Sequence, residues 1–266
     1  MNPYFLNSIL VPAARDTSAL IVHPHTQRTG GNTIRRKVLE SVYGRSRVYN
    51  DFNVGQAKKW PDLSDADLDG FRAFTGHFDF RDNGLKRPVF PIAVLRHPVY
   101  RAVSLYHFIR KKDTHRHHAL ALACGMEEFY RRASAETPSY FRELQCRRIC
   151  SHPDARMALE FINTRYLGVA FTEHLDQFVS ALGTALEWQK ITVESMPPDA
   201  ERYDAEVTPS FRALVLEQNA EDLALYEAVA NGTAPFALSG ATPRTGFLQR
   251  TKNALRPTVR KLRGIK

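Results

Sequence analysis

The sequence predicts an α/β fold with a mainly parallel central sheet flanked by helices on both faces. Three observations carry this. Short runs of strand-forming apolar residues recur along the chain, three of the four are followed by a stretch with apolar residues at helical spacing, and turn residues separate the elements. In chain order, Ser18-Ala-Leu-Ile-Val-His23 is the first strand. It feeds Pro24-His-Thr-Gln-Arg-Thr-Gly-Gly-Asn-Thr33, a tight loop with adjacent glycines. Ile34, Val38 and Val42 repeat every four residues and start a helix that Gly44 stops. Phe71-Arg-Ala-Phe-Thr-Gly-His-Phe78 is a second strand. Val89-Phe-Pro-Ile-Ala-Val-Leu95 is a third, although Pro91 disfavours a central position. Pro98 suits the first position of a helix whose one face carries Val99, Ala102, Val103, Tyr106 and Ile109. Residues 120–162 read as helical, with Ser139 a cap before Phe141. Arg165-Tyr-Leu-Gly-Val-Ala170 is a fourth strand. Thr172 is a cap for a helix carrying Leu175, Phe178, Val179 and Leu182 and stopped by Gly183. A last helix opens at Thr208-Pro209 and carries Phe211, Leu214, Val215, Leu225, Tyr226 and Val229.

A length of 266 residues suits one such domain. Gly, Pro, Ser and Thr are concentrated in 231–247, which divides the chain into a single α/β domain, 1–235, and a linker with a basic tail, 236–266. The net charge of +9 sits mostly in that tail. Residues 243–266 hold eight Lys and Arg and no acid, and subtracting these eight from 37 leaves 29 cations against 28 acids. A whole-domain nucleic-acid footprint is therefore disfavoured, and the tail reads as a solvated segment or a membrane-surface contact. No run approaches the roughly 20 apolar residues of a membrane span, and the start is a poor signal peptide. Cys124, Cys146 and Cys150 cannot all pair, so reduced thiols and a cytoplasmic location are expected.

Two segments carry anion chemistry. A strand, a loop with Gly30-Gly31 and a helix start converge backbone amides on one point, and Arg28, Thr29, Asn32 and Thr33 add side-chain donors. The other reading is an ordinary tight connection with a surface arginine. This is no Walker A loop, because the lysine is missing, and the third strand ends in Arg96 instead of a metal-holding Asp. Arg96 sits at the carboxyl end of a strand, where open α/β sheets bind ligands, with Ser104 about two helical turns on. Together they form a candidate phosphate clamp. Alone, they read as a surface ion pair and a helix serine bonding its own backbone. His115-Arg-His-His118 reads as a solvated basic loop; a metal tract or a contact for an acidic or sugar substrate are the alternatives.

The segments His25-Thr-Gln-Arg-Thr-Gly-Gly-Asn-Thr33 and Leu95-Arg-His-Pro-Val-Tyr-Arg-Ala-Val-Ser-Leu-Tyr106 resemble the H-x-P-K-T-G-G-T-S loop and the L-R-D-P-V-x-R-x-x-S-x-Y segment of the carbohydrate-type sulfotransferases. That group includes heparan sulfate 2-O-sulfotransferase. Phe74-Thr-Gly-His-Phe78 is similar to its Gly-His strand end. Leu167-Gly-Val-Ala-Phe-Thr-Glu-His-Leu175 and Asn219-Ala-Glu-Asp-Leu-Ala-Leu-Tyr226 are similar to weaker signatures, so the resemblance runs from about 18 to 230. It implies a P-loop-like sulfotransferase fold and a donor, 3′-phosphoadenosine 5′-phosphosulfate, used without a metal. By resemblance, Arg28, Thr29, Gly30, Gly31, Asn32 and Thr33 hold the phosphosulfate, and Arg96 and Ser104 hold the 3′-phosphate. His77 takes the proton of a hydroxyl acceptor, a glycan or glycolipid, while Arg28 stabilises charge on the transferring group.

Two departures keep other readings open. The family's Pro-Lys is Gln27-Arg28 here, and its Asp after the clamp arginine is His97. Arginine keeps the charge but is bulkier than lysine. A nucleotide-binding protein that kept the fold without transfer activity is one alternative. A polyanion binder acting through residues 243–266 is another. A packed structural histidine is the other reading of His77.

Overall fold

The computed structural model describes residues 2–51, 58–189, 191–194 and 199–232. Residues 1–234 form one compact unit. Six strands, β1 (Tyr4–Leu6), β2 (Leu20–Pro24), β3 (Val48–Asn50), β4 (Ala73–Gly76), β5 (Val89–Leu95) and β6 (Gly168–Phe171), make one sheet in the order β1-β6-β5-β2-β4-β3. β1 pairs antiparallel with β6, and the other pairs are parallel. The fold is thus α/β with a mostly parallel sheet and flanking helices.

Strand residues alternate between two cores, as the twofold period of a strand requires. Leu20, Val22, Ala93, Leu95, Val169 and Phe171 face one layer, covered by α4 (Leu144–Cys150), α5 (Ala155–Arg165) and α9 (Ala220–Asn231). Ile21, Ile92, Val94 and Ala170 face the other, covered by α1 (Thr33–Leu39 and Glu40–Tyr43) and α6 (Leu175–Ala185). Helix α1 opens as a π-helix, Thr33–Leu39, whose Arg35 carbonyl accepts from the Glu40 amide, and continues as Glu40–Tyr43. A third apolar cluster joins α2 (Pro98–Lys111), α3 (Met126–Glu136) and α8 (Pro209–Glu217) beside the sheet. The remaining helix that matters for the site is α7 (Asp199–Tyr203). Among the described residues no helix is long and apolar enough to cross a membrane.

Several sequence expectations are corrected. Edge strands β1 and β3 went unpredicted, because three residues are too few to display a period of two. Thr172 caps no helix: its hydroxyl donates to the Leu95 carbonyl at 3.2 Å, and α6 starts three residues later. Gly183 does not stop α6, which runs to Ala185. Ser139 lies inside the short helix Pro138–Phe141, which starts from Thr137. The last predicted helix is two, broken at Gln218 and Asn219. Its start is as expected, with the Thr208 hydroxyl accepting from the Phe211 amide at 3.1 Å. Pro91 does sit in a central strand. Pairing with β2 ends at Val22 and Pro91, and pairing with β6 begins at Ile92, so the missing N–H falls where β5 changes neighbours. The linker and basic tail lie outside the described residues.

Candidate active site

The chain leaves β2 toward β3 on one side of the sheet and returns to β5 on the other. The crevice between β2 and β5 is therefore a switch point, where parallel sheets bind ligands beyond their carboxyl ends. The loop after β2 and Arg96 after β5 both end there. Arg28, Gly30, Gly31, Asn32, Thr33, Arg96 and Ser104 line one cavity of about 200 Å³, together with His25, Thr172 and Arg202. Segments far apart in sequence are thus brought to one place.

Arg28 is held in left-handed backbone conformation, φ 71°. For a residue with a Cβ that is uncommon, and here its environment accounts for it. Its carbonyl accepts from Arg96 Nη1 at 2.9 Å, its Nε donates to Ser104 Oγ at 3.1 Å, and its guanidinium covers the Phe108 ring at 4.9 Å. Burial, and then the Arg96 charge, push its pKa down from the ordinary value. Arg96 is only 3% exposed. Gln145 brackets its backbone, accepting from the Arg96 amide at 2.8 Å and donating to its carbonyl at 2.9 Å. Asp222 in turn accepts from the amides of Gln145 and Cys146, and Asn219 from that of Glu143. The weak 219–226 signature thus supports the strand end that carries Arg96.

The largest surprise is Asp199 of α7. It takes two Arg96 hydrogen bonds, from Nε at 2.7 Å and Nη2 at 2.5 Å. Burial alone would lower the Arg96 pKa, but the bonds and charge of Asp199 raise it. The expected alternative of a surface ion pair is corrected to a buried one. The expected two-member clamp also changes, because Ser104 Oγ meets Arg28 and Arg96 meets Asp199. Thr29 does not line the cavity: it is fully buried, and its hydroxyl donates to the Thr26 carbonyl at 2.9 Å. Nor are all loop amides available, since those of Thr33 and Ile34 donate back to the Gly30 carbonyl.

His77 follows β4, whose Gly76 is in register with Pro24 of β2. It lines a second cavity of about 460 Å³ that shares His25, Arg28 and Asn32 with the first. The His25 ring lies between His23 and His77, at centroid distances of 5.5 and 4.9 Å. Gly31 makes room for it: a Cβ there would fall 2.0 Å from His25 Nε2. Burial, then the charges of Arg148, Arg28 and Arg35, push His25 down to about 3. His77 reaches solvent, yet desolvation by its crowded surroundings, then His25, Arg148 and Lys59, lower its pKa too. Both rings are therefore neutral at pH 7.

No family model matches the chain, and no curated protein matches it. The residues themselves must carry the reading. His25, Thr172, Asp199 and Arg202 were not assigned from sequence. His25 stood inside the quoted loop, but nothing in its spacing placed it between two cavities. Asp199 had no signal, being 103 residues from its partner. The 115–118 segment is less solvated than expected: His117 is buried with Nε2 2.9 Å from Thr137 Oγ1, and His118 Nδ1 is 2.9 Å from the Ile109 carbonyl. A larger hollow of about 750 Å³, beside Tyr43 and Trp188, contains none of the predicted site residues.

Proposed function

We propose that this chain is a sulfotransferase of the P-loop-like kind, moving a sulfuryl group from 3′-phosphoadenosine 5′-phosphosulfate to a hydroxyl acceptor, a glycan in the reading by resemblance. The observation that carries this reading is the junction of the two cationic segments, Arg96 Nη1 bonded to the Arg28 carbonyl on one shared cavity. A doubly charged donor calls for two such groups in one crevice. At about 200 Å³ the cavity falls below the roughly 300–1,000 Å³ of a whole small-molecule site, so it suits the charged end of a ligand. The adjoining cavity with His77 gives an acceptor its own approach.

In the proposed reaction the acceptor oxygen bonds to sulfur as the sulfur–oxygen bond to the nucleotide phosphate breaks. The bonding pair leaves with the phosphate oxygen, and the hydroxyl proton passes to neutral His77. Arg28, between the cavities, offsets charge on the transferring group and the leaving oxygen. The incoming sulfate favours protonated imidazole and so makes His77 a better base than it is in the empty site. Three free thiols accord with a reducing compartment, the cytoplasm in this reading.

Calorimetry with 3′-phosphoadenosine 5′-phosphate, without added Mg²⁺, tests the donor site. Micromolar binding, weakened about tenfold or more by Arg96→Ala and by Ser104→Ala, is expected. Preference for ATP with Mg²⁺ would overturn the reading. The alternative of binding without transfer draws on Arg28 being tied to Ser104 and Phe108. It would be favoured by donor binding with no sulfate transfer to any acceptor.

A further inference from the structure

Both halves of the expected phosphate clamp are occupied by the chain itself. Arg96 gives its Nε–H and an Nη2–H to the Asp199 carboxylate, the side-by-side donor pair with which a guanidinium grips an oxyanion. An Nη1–H goes to the Arg28 carbonyl. Ser104 Oγ, the other clamp group, accepts from Arg28 Nε at 3.1 Å. The Arg96 and Asp199 side chains are 3% and 5% exposed, so the pair is shielded from water. With Asp199 in place the pair is neutral. A phosphate brought against Arg96 then meets a carboxylate on the same guanidinium, and like charges that close in a shielded site repel strongly.

The segment carrying Asp199 is fastened firmly at one end only. At the far end, Tyr203 and Val207 pack against the third core cluster. Asp204 accepts from the Tyr100 hydroxyl of α2 at 2.8 Å and from Arg212 of α8 at 3.1 Å. Glu206 Oε2 stands 2.7 Å from His107 Nε2 of α2. At the near end, Asp199 is the one buried residue of α7, and Ala200, Glu201 and Arg202 are exposed. Residues 199–202 thus bury a single side chain, and it is the one on Arg96. A segment with so little buried apolar contact opens at low cost. Arg202 lines the first cavity, so the segment borders the space that a phosphate would enter.

We propose that residues 199–202 are an autoinhibitory strap over the first cavity: Asp199 is the resident anion of Arg96, an incoming phosphate monoester displaces it, and the strap lifts at this end while 203–207 stays anchored on α2 and α8. That the phosphate belongs to the nucleotide rests on the donor reading above; its exchange with Asp199 on Arg96 does not. The closed strap lowers the apparent affinity of a phosphate ligand by the fraction of molecules in which Arg96 is free.

Hydrogen exchange of the full chain, read by mass spectrometry, tests the strap. The protein is measured alone, with saturating 3′-phosphoadenosine 5′-phosphate, and with inorganic phosphate. With the nucleotide bound, the amides of 199–202 should exchange at least about tenfold faster, while those of α8 keep their rate. Asp199→Asn keeps the side-chain shape and removes the charge. By calorimetry it should bind the nucleotide at least about tenfold more tightly than the parent. Should that variant fold poorly, exchange in the parent decides. Unchanged or slower exchange at 199–202 with the nucleotide bound, or a folded Asp199→Asn that binds no more tightly, would overturn the proposal, because Asp199 would then orient Arg96 with the ligand in place. Failure of the nucleotide to bind the parent would count against the donor reading, and inorganic phosphate would carry the test alone. Faster exchange at 199–202 with phosphate would then uphold the strap, and no change would overturn it.

Discussion

Arg96 places three guanidinium N–H bonds on protein acceptors, two on Asp199 and one on the Arg28 carbonyl. In the free protein Asp199 therefore stands where a ligand's phosphate would compete. Asp199→Asn leaves a buried guanidinium without its counter-charge, a change that typically costs about 3–5 kcal/mol. Its melting temperature should fall below that of the parent, and saturating 3′-phosphoadenosine 5′-phosphate should restore more of the loss than it adds to the parent. Thermal denaturation with and without the nucleotide checks both. An unchanged melting temperature would show that the pair is not held in solution. For the proposed chemistry, His77→Ala should lower transfer about 10²–10⁴-fold and Arg28→Ala about 10²–10³-fold, measured with labelled donor at saturating acceptor. If His77→Ala left the rate intact, the base would have to be sought at His25, the other imidazole on this cavity.

Gly31 shows how an element's geometry serves its site. Its φ is not in the left-handed range, so alanine would fit the backbone, and the whole effect of a methyl group is the clash with the His25 ring. That ring has His23 and His77 beside it and borders both cavities, so it must yield into the space a ligand would use. Gly31→Ala should therefore stay folded, lose about 1–3 kcal/mol of stability by overpacking, and bind the nucleotide at least about tenfold more weakly. Denaturant titration and calorimetry read the two effects separately. Helix α2 was the most legible element. Pro98 starts it, His97 Nδ1 accepts from the Val99 amide at 3.3 Å, and the apolar face read from spacing is buried in the third core cluster. Strand β5 likewise has the bounds its sequence predicts. Thr172 and Gly183 misled because a cap or stop residue states a local preference, which the Leu95 carbonyl and the packing of α6 outweighed.

Over the whole molecule, the histidines link stability to pH. An unfolded histidine titrates near 6.5, whereas His25 is held to about 3 and His23, fully buried, well below its ordinary value. Between pH 6.5 and 3 the unfolded chain binds protons that the native protein refuses. Native stability must then fall as pH is lowered through this window. Melting temperature against pH should show the decline, and His25→Asn should flatten it relative to the parent; an identical slope would show that His25 is not held neutral. Both cavities owe their content to long-range placement. The apolar runs at 18–23 and 89–95, each followed by a stretch of helical spacing, predict a mainly parallel sheet covered on both faces, because strand and helix periods are local consequences of residue order. Residue order likewise marked Arg28, Gly30, Gly31, Arg96 and Ser104 as anion-binding candidates. Only the tertiary structure put them on one cavity, turned Ser104 toward Arg28, paired Arg96 with Asp199, and set His25 between two other imidazoles. Those outcomes depend on which distant groups burial forces together, and the spacing of neighbours along a chain carries no information about that choice.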